Sequence, residues 1–264
     1  MTSTPRAHVR RFGHGKRAAL TIHCTLAHSG AWRGLGAALE DHFTLTAIDL
    51  PGHGKSEDWD RRRDLHAECR DAALAHLATP MDVIGHSFGA TVALRIAVEH
   101  PHLVRSLTLI EPVFFAAAIA DAPEAMTAHE IEAQPYFAAL AEGDTMAAAR
   151  LFNRFWGDGT KWDEIPDGTR RYMADRMHIV PAQSDAIIED NAHIMAPGAL
   201  AKAAMPTLLI QGDQTADIID VVNRSLAARM PNVRRAWIAG AGHMAPLTHP
   251  EAVADELLRL VEMA

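Results

Sequence analysis

Ser87 sits in Gly85-His86-Ser87-Phe88-Gly89, after the short apolar run 81–84 and before the apolar segment 90–98. A G-x-S-x-G between a strand and a helix holds its serine on a strained turn with the oxygen outward, and the two glycines let strand and helix approach closely. That is the setting of a nucleophile. A second marker, Gly240-Ala241-Gly242-His243-Met244, follows the apolar run ending at Ile238. Small residues there make a tight loop that presents His243, whose imidazole can take the Ser87 proton during attack and return it to a leaving group. Serine and histidine in this order suit covalent catalysis at a carbonyl carbon.

These residues need elements to position them. Runs 18–22, 43–48, 81–84, 104–110, 207–210 and 233–238 are short and apolar, as strands buried on both faces of a mainly parallel sheet should be. Between them, 32–39, 65–77, 90–98, 221–230 and 250–261 carry apolar residues at helical spacing. The alternation indicates an α/β fold. Residues 113–203 break the rhythm, with no strand pattern but with helical stretches such as 136–141 and 145–155, interrupted by Gly157-Asp158-Gly159 and Pro166. The expected organisation is a core of residues 1–112 and 204–264 with 113–203 as a helical lid over the strand ends, since long insertions in compact folds are usually functional.

With 264 residues, 48% of them hydrophobic, the chain can bury a full core. The 25 basic and 33 acidic residues give a net charge of -8, which argues against a nucleic-acid footprint and favours a small, neutral or modestly polar substrate. Cys24 and Cys69 form neither a disulfide framework nor a metal-ligand spacing, so a reducing cytoplasm is the expected compartment. Residues 1–11 lack the apolar core of a secretion signal, and no run approaches the roughly 20 apolar residues that cross a bilayer. The 16 histidines are scattered without ligand spacing, so no metal or organic cofactor is expected.

The chain resembles the α/β-hydrolase family over nearly its whole length. Besides the Ser87 turn and the late His243, Asp49-Leu50-Pro51-Gly52-His53-Gly54-Lys55-Ser56 is similar to the family's D-x-P-G-x-G-x-S loop. The resemblance implies a three-layer fold, with a mainly parallel twisted sheet flanked by helices and a helical cap between the sixth and seventh strands. Ser87 would then follow strand five, and Ile110 would end strand six. It also implies an oxyanion hole built from the backbone N–H of Phe88 and of the residue after the family's His-Gly pair. Here that pair reads His23-Cys24, so the second donor is Thr25 and a cysteine replaces the usual glycine. A Cys24 nucleophile is disfavoured because the elbow itself carries serine.

The acid is displaced from its usual place. Gly212-Asp213-Gln214-Thr215 puts threonine where the family normally has aspartate. Glu111, Asp217 and Asp213 are the candidates, and Glu111, at the end of a buried strand, is preferred because a buried carboxylate needs a partner. Pro112 should hold Glu111 extended. The competing roles are an ion pair of Glu111 with Arg105 and an N-cap of the next helix by Asp217.

The expected function is cleavage of a small ester-like or lactone-like carbonyl compound through an acyl-enzyme, by Ser87, His243 and Glu111. Hydrolysis of carbon–carbon bonds, peracid formation, and a ligand-binding protein without turnover are the alternatives. Phe114, Phe115, Tyr136, Phe137, Phe155, Trp156, Met195 and Trp32 suit either a pocket wall or core packing.

Overall fold

The structure, a computed structural model, describes residues 7–262; residues 1–6 of the N-terminal segment lie outside it. Seven strands form one sheet: β1 (Val9–Phe12), β2 (Arg17–Ile22), β3 (Phe43–Ile48), β4 (Met81–His86), β5 (Val104–Ile110), β6 (Thr207–Gly212) and β7 (Val233–Ile238). Their spatial order is β1-β3-β2-β4-β5-β6-β7. All neighbours are parallel except β1, which pairs antiparallel with β3 at the edge.

The continuous apolar runs have a direct cause. Along β4, β5 and β6, alternate residues feed opposite layers: Val83, Leu109 and Leu209 enter the core on one face, while Ile84, Ile110 and Leu208 enter the other. Helices α1 (Arg33–Ala38), α10 (Ala245–Thr248) and α11 (Pro250–Glu262) cover the second face. On the first face lie α2 (Leu65–Leu74), α3 (Phe88–Glu99) and α9 (Asp217–Arg229). The layers are helix, sheet, helix. Between β5 and β6 come α4 (Phe115–Asp121), α5 (Pro123–Ala141), α6 (Thr145–Trp156), α7 (Asp167–Arg176) and α8 (Ser184–Ile187), with no strand among them. Helices α5, α6 and α7 share a separate apolar cluster in which Ala133, Ala148, Ala149 and Ala174 allow close approach.

One strand is new and two expectations are corrected. Residues 9–12 form a strand, because an edge strand needs only one partner and tolerates Arg10 and Arg11 among apolar neighbours. The described residues carry one strand fewer than the resemblance implies, so Ser87 follows the fourth strand and Ile110 ends the fifth. Helix α2 stops at Leu74, three residues short of the apolar pattern. None of the helices is long and apolar enough to cross a membrane, among the described residues.

Candidate active site

Ser87 occupies a left-handed backbone position, φ 55° and ψ -118°, between the end of β4 and the first residue of α3. Few non-glycine residues adopt this conformation without being held there. The restraints are visible on both sides. Ser87 N–H donates to the Ile110 carbonyl at 2.9 Å. A Cβ on Gly85 would lie 2.4 Å from the Gly89 carbonyl oxygen, and one on Gly89 would lie 2.2 Å from that of Ile22. Glycine at both positions is what lets α3 start against β2 and β4. The Phe88 side chain is wholly buried against His66, so it lines no pocket, and the residue presents only its backbone to the site.

His243 emerges from the loop after β7. His86 Nε2–H donates to the His243 carbonyl at 2.8 Å, which ties this loop to the residue before the serine. A Cβ on Gly212 would lie 2.0 Å from the Ala241 carbonyl oxygen, so the loop rests directly on the end of β6. The imidazole then spans two partners: Nε2 lies 2.9 Å from Ser87 Oγ, and Nδ1 lies 3.1 Å from Glu111 Oε2. The carboxylate can only accept, so Nδ1 carries the proton and the Nε2 lone pair faces the serine hydroxyl.

Glu111 is fully buried and saturated with donors. Oε1 accepts from Gly212 N–H at 2.6 Å, and Oε2 accepts from Thr215 Oγ1–H at 2.5 Å as well as from His243. Its backbone is left-handed, φ 52°, not extended as Pro112 suggested. Anchoring at both ends accounts for this: its N–H is held by the Ile210 carbonyl while its carboxylate is pulled towards the loop after β6. The other expected partners are elsewhere. Arg105 pairs with Asp82, Asp213 is exposed and accepts from Gly240 N–H, and Asp217 is exposed as the first residue of α9 and caps nothing.

The loop after β2 is braced to the loop after β3. His23 Nδ1–H donates to the Cys24 carbonyl at 2.7 Å and its Nε2 accepts from Leu50 N–H at 3.0 Å, an arrangement open only to a neutral ring. Burial lowers its pKa to about 4, in keeping with that role. Asp49 accepts from Ser29 N–H and Lys55 N–H; burial opposes its charge, but these bonds prevail and hold the carboxyl below its ordinary pKa. Gly54 lies against the same carboxylate, where a Cβ would fall 2.1 Å from Oδ2. Thr25 projects into the site with its N–H free of protein acceptors among the described residues, as is that of Phe88. Burial pushes the Cys24 thiol up to about 12, which keeps it protonated and unreactive.

Two cavities meet at Ser87, Thr25, Phe152 and Trp156. The outer one, about 580 Å³, is also walled by His243, His28, Asn153 and Tyr172. The inner one, about 330 Å³, is lined by Phe115, Met126, His129, Tyr136 and Ile187, together with the exposed Glu130 and Gln134 of α5. Of the aromatic residues singled out in the sequence, Phe115, Tyr136, Phe137 and Trp156 reach a cavity, while Trp32 is core.

Contacts with the interval between β5 and β6 supply residues that local patterns did not mark. Gln183 Nε2–H donates to Thr25 Oγ1 at 2.8 Å. The Tyr172 hydroxyl accepts from Gly54 N–H at 2.8 Å and donates to the Ala27 carbonyl at 3.1 Å, joining the two braced loops. These partners stand more than a hundred positions apart, and no spacing rule connects them. Thr215 was marked only by the aspartate it replaces.

The family model for the alpha/beta hydrolase family matches residues 19–256. A pimeloyl-[acyl-carrier protein] methyl ester esterase of Xanthomonas campestris is 26% identical, over 96% of this chain and 98% of its own. Lipase LipV of Mycobacterium tuberculosis is 37% identical over a shorter stretch, 40% of this chain and 41% of its own. Among solved structures, an alpha/beta hydrolase from Sphaerobacter thermophilus superposes with a TM-score of 0.70 at 23% identity, covering 97% of this chain and 96% of that one. With its sheet order, the turn at Ser87 and a family match along nearly its whole length, the chain belongs to the alpha/beta hydrolase family and is a hydrolase.

Proposed function

We propose that the protein is a serine carboxylic-ester hydrolase that works through an acyl-enzyme, with residues 113–203 serving as its lid. The observation that carries this reading is the relay from Ser87 Oγ through His243 to Glu111, at 2.9 and 3.1 Å, with Ser87 at the junction of the two cavities. In the first half-reaction Ser87 Oγ attacks the ester carbonyl carbon while His243 Nε2 accepts the hydroxyl proton. Glu111 stabilises the resulting imidazolium through Nδ1–H. The N–H groups of Phe88 and Thr25 hold the developing oxyanion, a contribution of roughly 3 to 4 kcal/mol per donor. His243 passes the proton to the departing alcohol. Water then attacks the acyl-serine by the same route, releasing the acid and restoring Ser87.

Relatives named as a methyl ester esterase and a lipase support esters as the substrate class. The test is covalent labelling with a fluorophosphonate, alongside turnover of a p-nitrophenyl ester. The label should fall on Ser87, and Ser87→Ala should abolish labelling and burst-phase release. Undiminished turnover in Ser87→Ala would sink the mechanism.

A further inference from the structure

His129 lies on α5 in the wall of the inner cavity, 5% exposed, boxed by aromatic rings. Phe115, Trp156 and Phe155 stand with their ring centroids 4.7, 5.5 and 5.6 Å from its own. A phenylalanine would fill such a box at no polar cost. The imidazole instead brings two nitrogens, one a donor and one an acceptor when neutral. Its Nδ1 is enclosed without a partner, which leaves Nε2, not enclosed and without a hydrogen bond among the described residues, as the nitrogen that a ligand in the cavity can reach. A nearly buried imidazole that keeps one nitrogen unpartnered in a cavity wall points to a ligand atom that pairs with it there. Burial, then the proximity of His243, lowers the pKa of the ring to about 4, so it meets a ligand as a neutral group.

The cavities differ in which side of the reaction they can serve. His243 walls the outer cavity and is absent from the wall of the inner one. The alcohol that takes the proton from His243 must therefore depart on the outer side, which leaves the inner cavity for the acyl chain. Trp156 separates the two functions physically, its ring 4.4 Å from that of His243 and 5.5 Å from that of His129.

Building on the serine-esterase reading, we propose that the inner cavity holds the acyl chain and that His129 hydrogen-bonds an oxygen carried on that chain beyond the scissile carbonyl. The preferred substrates are then oxo- or hydroxy-acyl esters of short chain length, not plain fatty acyl esters. Apolar walls at Met126, Phe115 and Ile187 accept the methylenes, while His129 rewards the additional oxygen. A site built around a hydrogen-bonding partner discriminates strongly against analogues that lack it.

The experiment uses p-nitrophenyl esters of oxopentanoic, oxohexanoic and oxoheptanoic acids, each with the ketone on the penultimate carbon, paired with the unsubstituted ester of equal length. In the wild type the best pair should favour the oxo ester in kcat/KM by at least about tenfold. In His129→Phe that ratio should fall to about one, and in His129→Gln, which keeps a donor and an acceptor, it should lie between. Wild-type ratios near one across the series, or a preference that survives His129→Phe, overturn the proposal. Fluorophosphonate labelling of Ser87 in each variant reports folding and nucleophile separately. Failure of labelling in the wild type defeats the esterase reading and this proposal together, whereas normal labelling with a flat ratio defeats this proposal alone. If His129→Phe alone fails to label, the His129→Gln ratio decides: unchanged from wild type, it overturns the assignment.

Discussion

Thr215 Oγ1 donates to Glu111 Oε2 at 2.5 Å, so the residue at the family's usual acid position supports a carboxylate that directly follows the neighbouring strand β5. The two positions serve one point in space, beside His243 Nδ1. Glu111→Ala should lower kcat by roughly 10³ to 10⁴, the scale set by removing the orienting acid of such a relay. Adding Thr215→Asp to that variant should recover at least about tenfold, by returning a carboxylate from β6. Steady-state kinetics on one activated ester checks both, and a Glu111→Ala enzyme within about threefold of wild type would remove Glu111 from the mechanism.

The single change Thr215→Val keeps the shape and deletes the donor. A hydrogen bond to a charged group contributes about 1.5 to 3 kcal/mol, so kcat should fall by roughly tenfold or more with KM little altered. An unchanged kcat would make this bond incidental.

Much of this site was legible in the sequence because its signals are local. The glycines around Ser87, the small residues before His243 and the apolar run ending at Ile110 each mark a turn or strand end within a few residues. Strands 43–48, 104–110 and 233–238 coincide with β3, β5 and β7, since a run buried on both faces leaves a continuous apolar trace. Strand β1 left none, because Val9–Phe12 has two arginines in four residues. The conformation of Glu111 departs from the pre-proline expectation for a related reason: that preference is local, whereas its φ of 52° is imposed by Ile210 and Gly212 of β6 and Thr215 of the loop after it. Tyr172, Gln183 and His129 make their contacts across the tertiary structure and carry no sequence pattern.

Gly89 and Gly168 should respond oppositely to alanine. A Cβ on Gly89 would fall 2.2 and 2.5 Å from the backbone oxygens of Ile22 and His23, neither of which can yield without moving β2. Gly89→Ala should cost about 3 kcal/mol and lower Tm by roughly 10 °C. Gly168, inside α7 with open space around it, should gain about 0.5 to 1 kcal/mol as alanine. Thermal unfolding of the two variants beside wild type tests the pair; equal shifts would contradict the close-approach argument.

Tyr172→Phe removes one oxygen and loosens two loops at once. Gly54 N–H loses its acceptor and the Ala27 carbonyl its donor, at a net cost of about 1 kcal/mol or a little more. Because Ala27 lies two residues from Thr25, the expected effect on kcat/KM is a fall of about tenfold, larger than the change in stability. A variant with full activity would show that Thr25 needs no support from α7.

Acid should unfold this protein early. His23 and His129 have pKa values near 4, and His53, His66 and His86 near 3, in each case chiefly because burial disfavours the charged ring. The unfolded chain titrates near 6.5, so between that value and the folded values it binds protons that the native chain does not. Stability is therefore full above pH 6.5 and is lost as pH falls below it, by up to about 1.4 kcal/mol per histidine per pH unit. Five such groups can consume most of an ordinary 5 to 15 kcal/mol by about pH 5. His66 shows why the native state refuses the proton: its Nδ1 accepts from the Arg95 guanidinium, so a proton there would face a cation. Tm should fall steeply from pH 6.5 to 5, and His66→Gln should flatten the slope by about one proton's worth. A Tm that stays level to pH 5 would mean that these rings are protonated in the folded chain.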